Sequence, residues 1–484
     1  MTPPSTSFFT DEKDGTVRQH NEKKPADTNT EQTNKVSGKL VETTSPNLAQ
    51  QNEGNSGRAT QPRKKASPLA SKKNAKETAP NEPEEERVRE IMYQSIIGLI
   101  ISASILTLLG LLMVYSALTP GAVRSQYTGT GHTFRTAYMQ IAYAGIGIIG
   151  AWIATRINFR FFEKWAWYLY WAAIALQLLV LSPLGVSVAG NRNWVGYGAI
   201  RIQPSEFLKL AMILVLATSM AKLPTVTRKN FEFSEWKNVF IAVGGALVAV
   251  MAGFDMGTAT IFSLIAIGMI WLAGFPRRWL FLVAVLGALV AAIFVASSTS
   301  RLARVTDFFE NIFYLPNDFD PSQSDFALWA FGSGGLGGSG LGTGVEKWPG
   351  NLAEAHTDFI FAVVGEELGF FGCIVIIAMF VLMAWSLLRM CIFHPRKGAR
   401  FFMAGALLWL CGQGLINMLV VTSMLPVFGV PLPLMSQGGS SVISCLATVG
   451  ICISAARDVP GVKESFKRSG SLVKRARAVI RRNP

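Results

Sequence analysis

HTDFIFAVVGEELG, His356 to Gly369, sets three carboxylates, Asp358, Glu366 and Glu367, at the mouth of an apolar run that continues as FFGCIVIIAMFVLMAWSLL to Leu388. That run is long enough for a membrane helix. A charge near the bilayer centre costs about 2.5–3.5 kcal/mol on insertion scales, so acids in such a helix are seldom idle. They face protein or water inside a bundle, or they sit at the interface and act on something there. The stretch decides the class of fold and marks the first place to look for chemistry.

Half of the 484 residues are hydrophobic and 16% are charged, with a mean hydropathy of +0.33. These values exclude an ordinary soluble domain and indicate an all-α polytopic membrane protein. Residues 1–90 depart from that average, being rich in Lys, Glu, Asn, Thr and Pro. They are expected to form a disordered tail, because they lack the apolar mass to offset chain entropy. No charged stretch followed by an apolar one marks a cleaved signal peptide there. Cys373, Cys391, Cys411, Cys445 and Cys452 lie in or beside apolar runs without the spacing of a zinc or redox site, and read as packing residues. The net charge of +14 is concentrated between apolar runs and at the C-terminus, which suits inner loops and anionic lipid rather than nucleic acid.

About ten runs are long enough to cross: 96–117, 136–156, 166–186, 204–221, 239–254, 258–275, 279–297, 358–388, 401–423 and 438–456. Alternate loops carry the cations, among them Arg156, Arg160 and Lys164, then Lys222, Arg228, Lys229 and Lys237, then Arg396, Lys397 and Arg400. Both termini are therefore expected in the cytoplasm. The membrane domain is expected over 91–457, followed by a basic tail over 458–484. In that tail, Val473–Ile480 reads either as a short amphipathic helix on the inner leaflet or as solvated chain. Polar, Gly- and Pro-rich elements gather on the opposite side. The largest is the extracytoplasmic loop 298–357 between the seventh and eighth helices, which shows no clear helix or strand pattern.

Asp358 is the first candidate for chemistry. Thr357 is the expected N-cap, which would put Asp358 in the first turn of the eighth span, where the helix dipole favours an anion. A carboxylate at the water–lipid boundary can act as a general base on a hydroxyl; the plainer reading is a terminal acid that only satisfies the dipole. Glu354, Lys347, His356 and the glycine loop FGSGGLGGSGLGTG lie just upstream. Glu366 and Glu367 point about 100° apart on a helix, so a structural role is expected, one of them paired with a cation on a neighbouring span. Glu206 and Lys209 in QPSEFLK are three apart and can pair, as an ion pair that eases insertion or as a substrate contact. Arg192 and Arg201 match phosphate geometry. Asp255 can cap the sixth helix or meet substrate. Gln413 and Asn417 share a helix face. Ser436, Ser440 and Ser441 flank Gly438 and Gly439 and read as helix glue or site lining. The glycine loop lacks the GK[ST] ending of a P-loop, so no ATPase is indicated.

Five separated blocks, NWVGYGAIRIQPSEFLK, FDMGTA, FGSGGLGGSGLG, HTDFIFAVVGEELG and LPVFGVPLPLMSQGGSS, together resemble the SEDS family (shape, elongation, division and sporulation proteins), which includes FtsW, RodA and SpoVE. The resemblance covers about Ile96 to Arg457. VGEELG is closer to the FtsW form. The resemblance implies a bacterial plasma-membrane peptidoglycan glycosyltransferase that polymerises lipid II into glycan strands during septal synthesis in cell division. Asp358 is the implied catalytic residue. Arg192, Glu206 and Lys209 would then organise the cleft or the diphosphate, and Asp255, Lys347, His356, Asn417, Ser436 and Ser440 are the further candidates for substrate contact. A divalent cation, Mg2+ or Mn2+, could stabilise the leaving diphosphate. The implied partners are lipid II, undecaprenyl-diphosphate-linked glycan, a class B penicillin-binding protein that cross-links, and other division proteins, with no nucleic acid. The chain departs from the family pattern at Ala353, Gln437, Asn193 and Ser322-Gln323. A lipid II flippase, an elongation-type polymerase and an inactive scaffold are the competing readings.

Overall fold

The computed structural model describes residues 82–127, 135–188, 191–197, 200–224, 232–311 and 321–466, all within one compact unit, Lys76–Pro484. The expected tail up to residue 81, the loop cations Arg228 and Lys229, and the amphipathic segment 473–480 lie outside the described residues.

Apolar sequence becomes helix here because a helix closes its own backbone hydrogen bonds where no water can. The helices are α1 (Glu82–Tyr127), α2 (Arg135–Arg156), α3 (Phe159–Leu178), α4 (Pro204–Ala221), α5 (Lys237–Met251), α6 (Met256–Leu272), α7 (Arg277–Ala296), α8 (Thr299–Asn311), α9 (Gln323–Gly334), α10 (Ile360–Glu367), α11 (Gly369–Phe393), α12 (Lys397–Leu407), α13 (Gln413–Val421) and α14 (Gly439–Arg457). Among the described residues nine spans are long and apolar enough to cross a membrane, α12 and α13 counting as one, and the shorter apolar α6 accompanies them. The chain is a multi-pass, all-α membrane protein.

α14 and α4 form its centre, with 83% and 72% of their apolar windows buried, whereas no residue of α7 is buried. Small residues let the central helices approach. A Cβ on Gly450 of α14 would lie 2.6 Å from the Ala151 carbonyl oxygen of α2, so backbone meets backbone at that crossing.

Three expectations need correction, and the segment before α4 adds a sheet. The eighth run is two helices, α10 and α11, broken at Gly369 with φ +65°, a left-handed conformation that glycine adopts at little cost. The loop 298–357 holds two helices, α8 and α9. α9 opens on a capping box in which Ser322 and Asp325 satisfy each other's backbone N–H groups. The loop before α4 is a small antiparallel sheet, β1 (Gly185–Val188), β2 (Asn191–Tyr197) and β3 (Ile200–Ile202), with Gly185 opposite Val195 and Val195 opposite Ile202. Finally, α1 begins at Glu82, so the boundary expected at residue 90 falls inside a helix. The sheet is seated on the α5–α6 corner by the Arg192 N–H, which donates to the Gly253 carbonyl at 2.9 Å.

Candidate functional site

Asp358 sits two residues ahead of α10, in a turn. Thr357 is not the N-cap; Phe359 occupies that position, with no side-chain cap. The turn closes on Glu354, whose carbonyl accepts from the Thr357 N–H at 3.0 Å and the Phe359 N–H at 3.2 Å. Glu354 stands at φ +57°, a conformation that costs a non-glycine residue about 1–2 kcal/mol. That strain is offset by the Thr357 hydroxyl, which donates to the Glu354 carboxylate at 2.7 Å.

Three consecutive carbonyls of the turn are then tied to the C-terminal third of the chain. The His356 carbonyl accepts from the Gln437 N–H at 2.9 Å. The Thr357 carbonyl accepts from the Ser436 hydroxyl at 2.5 Å. The Asp358 carbonyl accepts from the Asn417 amide at 2.7 Å, and the same amide donates to the Val430 carbonyl at 2.7 Å. The backbone of Asp358 is fixed, yet no hydrogen bond from a described residue reaches its carboxylate. That carboxylate is half-buried, beside Gly429, where an added Cβ would meet Oδ2 at 3.3 Å. Burial raises its pKa to about 7, helped by the negative charges of Glu354 and Asp255 and opposed by Arg304 of α8. His356 beside it is held below the usual imidazole range by burial, against the pull of Glu354.

The α5–α6 corner forms the facing wall. Asp255 is the N-cap of α6, accepting from the Thr258 N–H at 3.0 Å and the Thr258 hydroxyl at 2.8 Å. Its second oxygen also accepts from the Asn193 amide of β2 at 2.8 Å. Asn193 thus bridges the sheet to this corner. Arg192 donates to the Ser182 carbonyl at 2.7 Å, which commits one arm of its guanidinium to the turn before β1. Arg201 is exposed.

The glycine loop packs on the far end of α10. Glu366 accepts from the Val345 and Glu346 N–H groups at 2.5 and 3.1 Å. Glu367 accepts from the Gly342 N–H at 3.1 Å and the Ser116 hydroxyl at 2.7 Å, and pairs with Lys347 at 2.5 Å. Both acids meet the loop although they point apart on the helix, because α10 ends at Glu367 and the loop folds across that end. The cation comes from the loop rather than from a neighbouring span. The glycines are needed for close approach, since a Cβ on Gly344 would meet Glu366 Oε2 at 2.7 Å, and one on Gly334 or Gly338 would overlap the carbonyl oxygens of Gly365 or Glu367. Lys347, a candidate substrate ligand by sequence, is buried in this latch with Glu367 and Ser116.

Glu206 and Lys209 form an ion pair at 2.9 Å, 1% and 2% exposed. Lys209 also donates to Gln413 Oε1 at 3.0 Å and lies 5.1 Å from the Trp409 ring centre. Gln413 in turn donates to the Pro431 carbonyl at 2.7 Å. A π-helical turn at Leu408–Gly412 precedes Gln413, and it aims Gln413 and Asn417 at the adjacent carbonyls of Pro431 and Val430. The pair belongs to the bundle core that braces the Asp358 turn. Ser440 accepts from the Gln203 N–H at 3.1 Å and ties α14 to the start of α4.

The structure thus groups Asp358, His356, Asp255, Asn417 and Ser436, and sets Lys347, Glu206 and Lys209 in supporting networks. Sequence reasoning missed Gln140, Asn193 and Arg304 as site-side residues. Gln140 is buried on α2, donates to the Ser436 carbonyl at 3.3 Å and accepts from the Gly438 N–H at 3.2 Å. Its signal was legible as a lone amide in an apolar span. Among the described residues no group of three His, Cys, Asp or Glu side chains is arranged to hold a metal ion.

Residues 97–460 match the family model for FtsW, RodA and SpoVE, described as "Cell cycle protein". Stage V sporulation protein E of Bacillus subtilis (strain 168) is 34% identical over 368 residues, covering 74% of this chain and 96% of that protein. The probable peptidoglycan glycosyltransferase FtsW of Geobacter sp. (strain M18) is 34% identical over 365 residues, covering 74% and 96%. Among solved structures, Thermus thermophilus rod shape determining protein RodA superposes with a TM-score of 0.54 at 25% identity, covering 75% of this chain and 97% of that one. A chain from a peptidoglycan synthase complex that coordinates polymerization and crosslinking superposes with a TM-score of 0.60 at 24% identity, covering 75% and 98%, a likeness of fold. With a buried acid-lined site built from the same blocks and a family match across the whole membrane domain, this chain belongs to the FtsW/RodA/SpoVE family of cell cycle proteins.

Proposed function

We propose that this protein is a peptidoglycan glycosyltransferase that polymerises lipid II, with Asp358 as general base. The observation that carries the proposal is a carboxylate that receives no hydrogen bond from any described residue, on a backbone fixed at three successive carbonyls. Such a group keeps its lone pairs for substrate and need not reorganise. Its pKa of about 7 suits proton transfer near neutral pH, where the base form and basicity are both substantial.

In the proposed step the GlcNAc 4-hydroxyl of one lipid II attacks the anomeric carbon of the diphosphate-linked MurNAc on the growing strand. The hydroxyl proton passes to Asp358 as the new C–O bond forms. The bond from the anomeric carbon to the diphosphate oxygen breaks, and undecaprenyl diphosphate leaves with that electron pair, inverting the carbon. Arg201, exposed on β3, and Arg304 on α8 are the cations proposed to meet the diphosphate. Asp255 is committed to Thr258 and Asn193 and shapes the wall opposite. The expected Mg2+ or Mn2+ is proposed to arrive on the diphosphate rather than on protein ligands.

The cell-cycle family and its FtsW-named relatives support a division role, the likeness to a chain of a peptidoglycan synthase complex is consistent with a class B penicillin-binding protein as cross-linking partner, and the alternation of basic loops supports both termini in the cytoplasm. The broken helix at Gly369 and the unburied α7 favour, as second reading, a flippase for the same lipid. Purified full-length protein, incubated with lipid II as wild type and as Asp358→Ala, separates them. Glycan strands made only by the wild type support the enzyme; lipid translocation without polymer in both defeats it. Complementation of a depletion strain by Asp358→Ala would instead point to a scaffold.

A further inference from the structure

A groove between α1, α2 and α14 runs toward the end of the bundle where α2 and α14 finish at Arg156 and Arg457. It encloses about 510 Å³, and its walls are almost wholly apolar, with Ile100, Leu108, Trp152 and Val449 among them. Along α1 it reaches from Ile96 to Leu111, which at 1.5 Å per residue is about 22 Å. Leu108 and Trp152 are 69% and 58% exposed, so the groove opens sideways, to the surface that meets lipid.

Two polar groups in this apolar wall have no hydrogen-bond partner among the described residues. The Thr107 hydroxyl, on a residue 6% exposed, makes no hydrogen bond. Arg457 donates from Nη1 to the Thr155 carbonyl at 3.1 Å, while its buried Nε donates to nothing. Leaving a buried donor unpaired is costly, so the described residues leave this wall incomplete. A second cation stands at the same end, where the Arg156 guanidinium lies 4.8 Å from the Trp152 ring centre.

We propose that this groove binds one anionic phospholipid, with an acyl chain along α1 and the phosphate against Arg457. Arg457 lines the groove and is half-buried, and a guanidinium matches a phosphate's paired oxygens. The long apolar slot fits a chain, and the basic end is the end the charge distribution assigns to the anionic inner leaflet. An apolar helix in the same slot would leave the Arg457 Nε unpaired. A zwitterionic lipid would set its own ammonium against Arg156. The site is separate from the Asp358 turn and does not depend on the reaction proposed for it.

The test is native mass spectrometry of the detergent-purified full-length protein, equilibrated with phosphatidylglycerol or with phosphatidylcholine of matched chains. Wild type should retain phosphatidylglycerol about five- to thirtyfold more strongly, the range that one or two basic contacts supply. Arg457→Gln should abolish that preference. Arg457→Lys, which keeps the charge and loses the fork, should hold part of it. Ser104→Trp, which fills the groove from an exposed position, should weaken retention of both lipids. Monodisperse elution of each variant checks folding. Equal retention of the two lipids by wild type, or an unchanged preference in Arg457→Gln, overturns the proposal. Displacement of phosphatidylglycerol by an isoprenoid diphosphate overturns it as well, because the occupant would then be a substrate-class lipid.

Discussion

Replacing Asn417 with leucine, close in size and unable to donate, removes both hydrogen bonds that tie Asp358 and Val430 together, each 2.7 Å long. Two carbonyls lose their partner. At about 1–3 kcal/mol for each buried group left unmet, the local cost is roughly 2–6 kcal/mol. Global stability should fall by much less, because an unfolded helix in a membrane also finds partners and measured side-chain hydrogen bonds there average about 0.6 kcal/mol. The larger sum is felt by the turn, which can relieve it by shifting. A displacement of about 1 Å at a reacting group costs on the order of a hundredfold in rate. Steady-state glycan polymerisation from lipid II should therefore show kcat lowered about a hundredfold with KM little changed, the pattern of an interaction lost chiefly in the transition state. Thermal unfolding should move only slightly. A variant with wild-type kcat would refute the idea that Asn417 places the carboxylate.

The pH–rate profile should rise on its acid side through about pH 7, because burial and like charges lift Asp358 and only the deprotonated form accepts a proton. Glu354→Gln removes one of those charges, so the acid limb should move to lower pH; a shift to higher pH, or none, contradicts the electrostatic account. Lys347→Met leaves Glu367 buried without its cation, and breaking such a pair costs about 3–5 kcal/mol, to be read as a lower unfolding temperature and more proteolysis within the glycine loop. Gly338→Ala adds a Cβ at φ +81° against the Glu367 carbonyl and should open the same latch, whereas Gly337→Ala, with nothing near its Cβ, should be tolerated.

Hydropathy made the membrane bundle legible because lipid selects apolar residues over whole spans, and the i,i+3 spacing of Glu206 and Lys209 already allowed their ion pair. Asp255 as a cap was visible for the same local reason. The break at Gly369 was hidden, since GFFGCIV reads as unbroken apolar sequence and the φ of +65° is a backbone property. The turn at Glu354 was hidden likewise: Thr357 next to Asp358 resembles a cap, but the carbonyl ties from Asn417, Ser436 and Gln437 hold the chain out of the helix for two further residues. α9 left a readable trace in Ser322 and Asp325 that its glycine-rich end obscured. The latch between α10 and the glycine loop needed contacts across about twenty residues of chain, which no periodicity encodes.

The most direct measurement is single-turnover formation of glycan from lipid II by Asp358→Asn, which keeps the shape of the side chain and removes its basicity. A rate lower by about 10²–10⁴, with lipid II still bound, is the expected result, that being the usual contribution of a general base. A rate near that of the wild type would show that the proton goes elsewhere and that Asp358 is not the base.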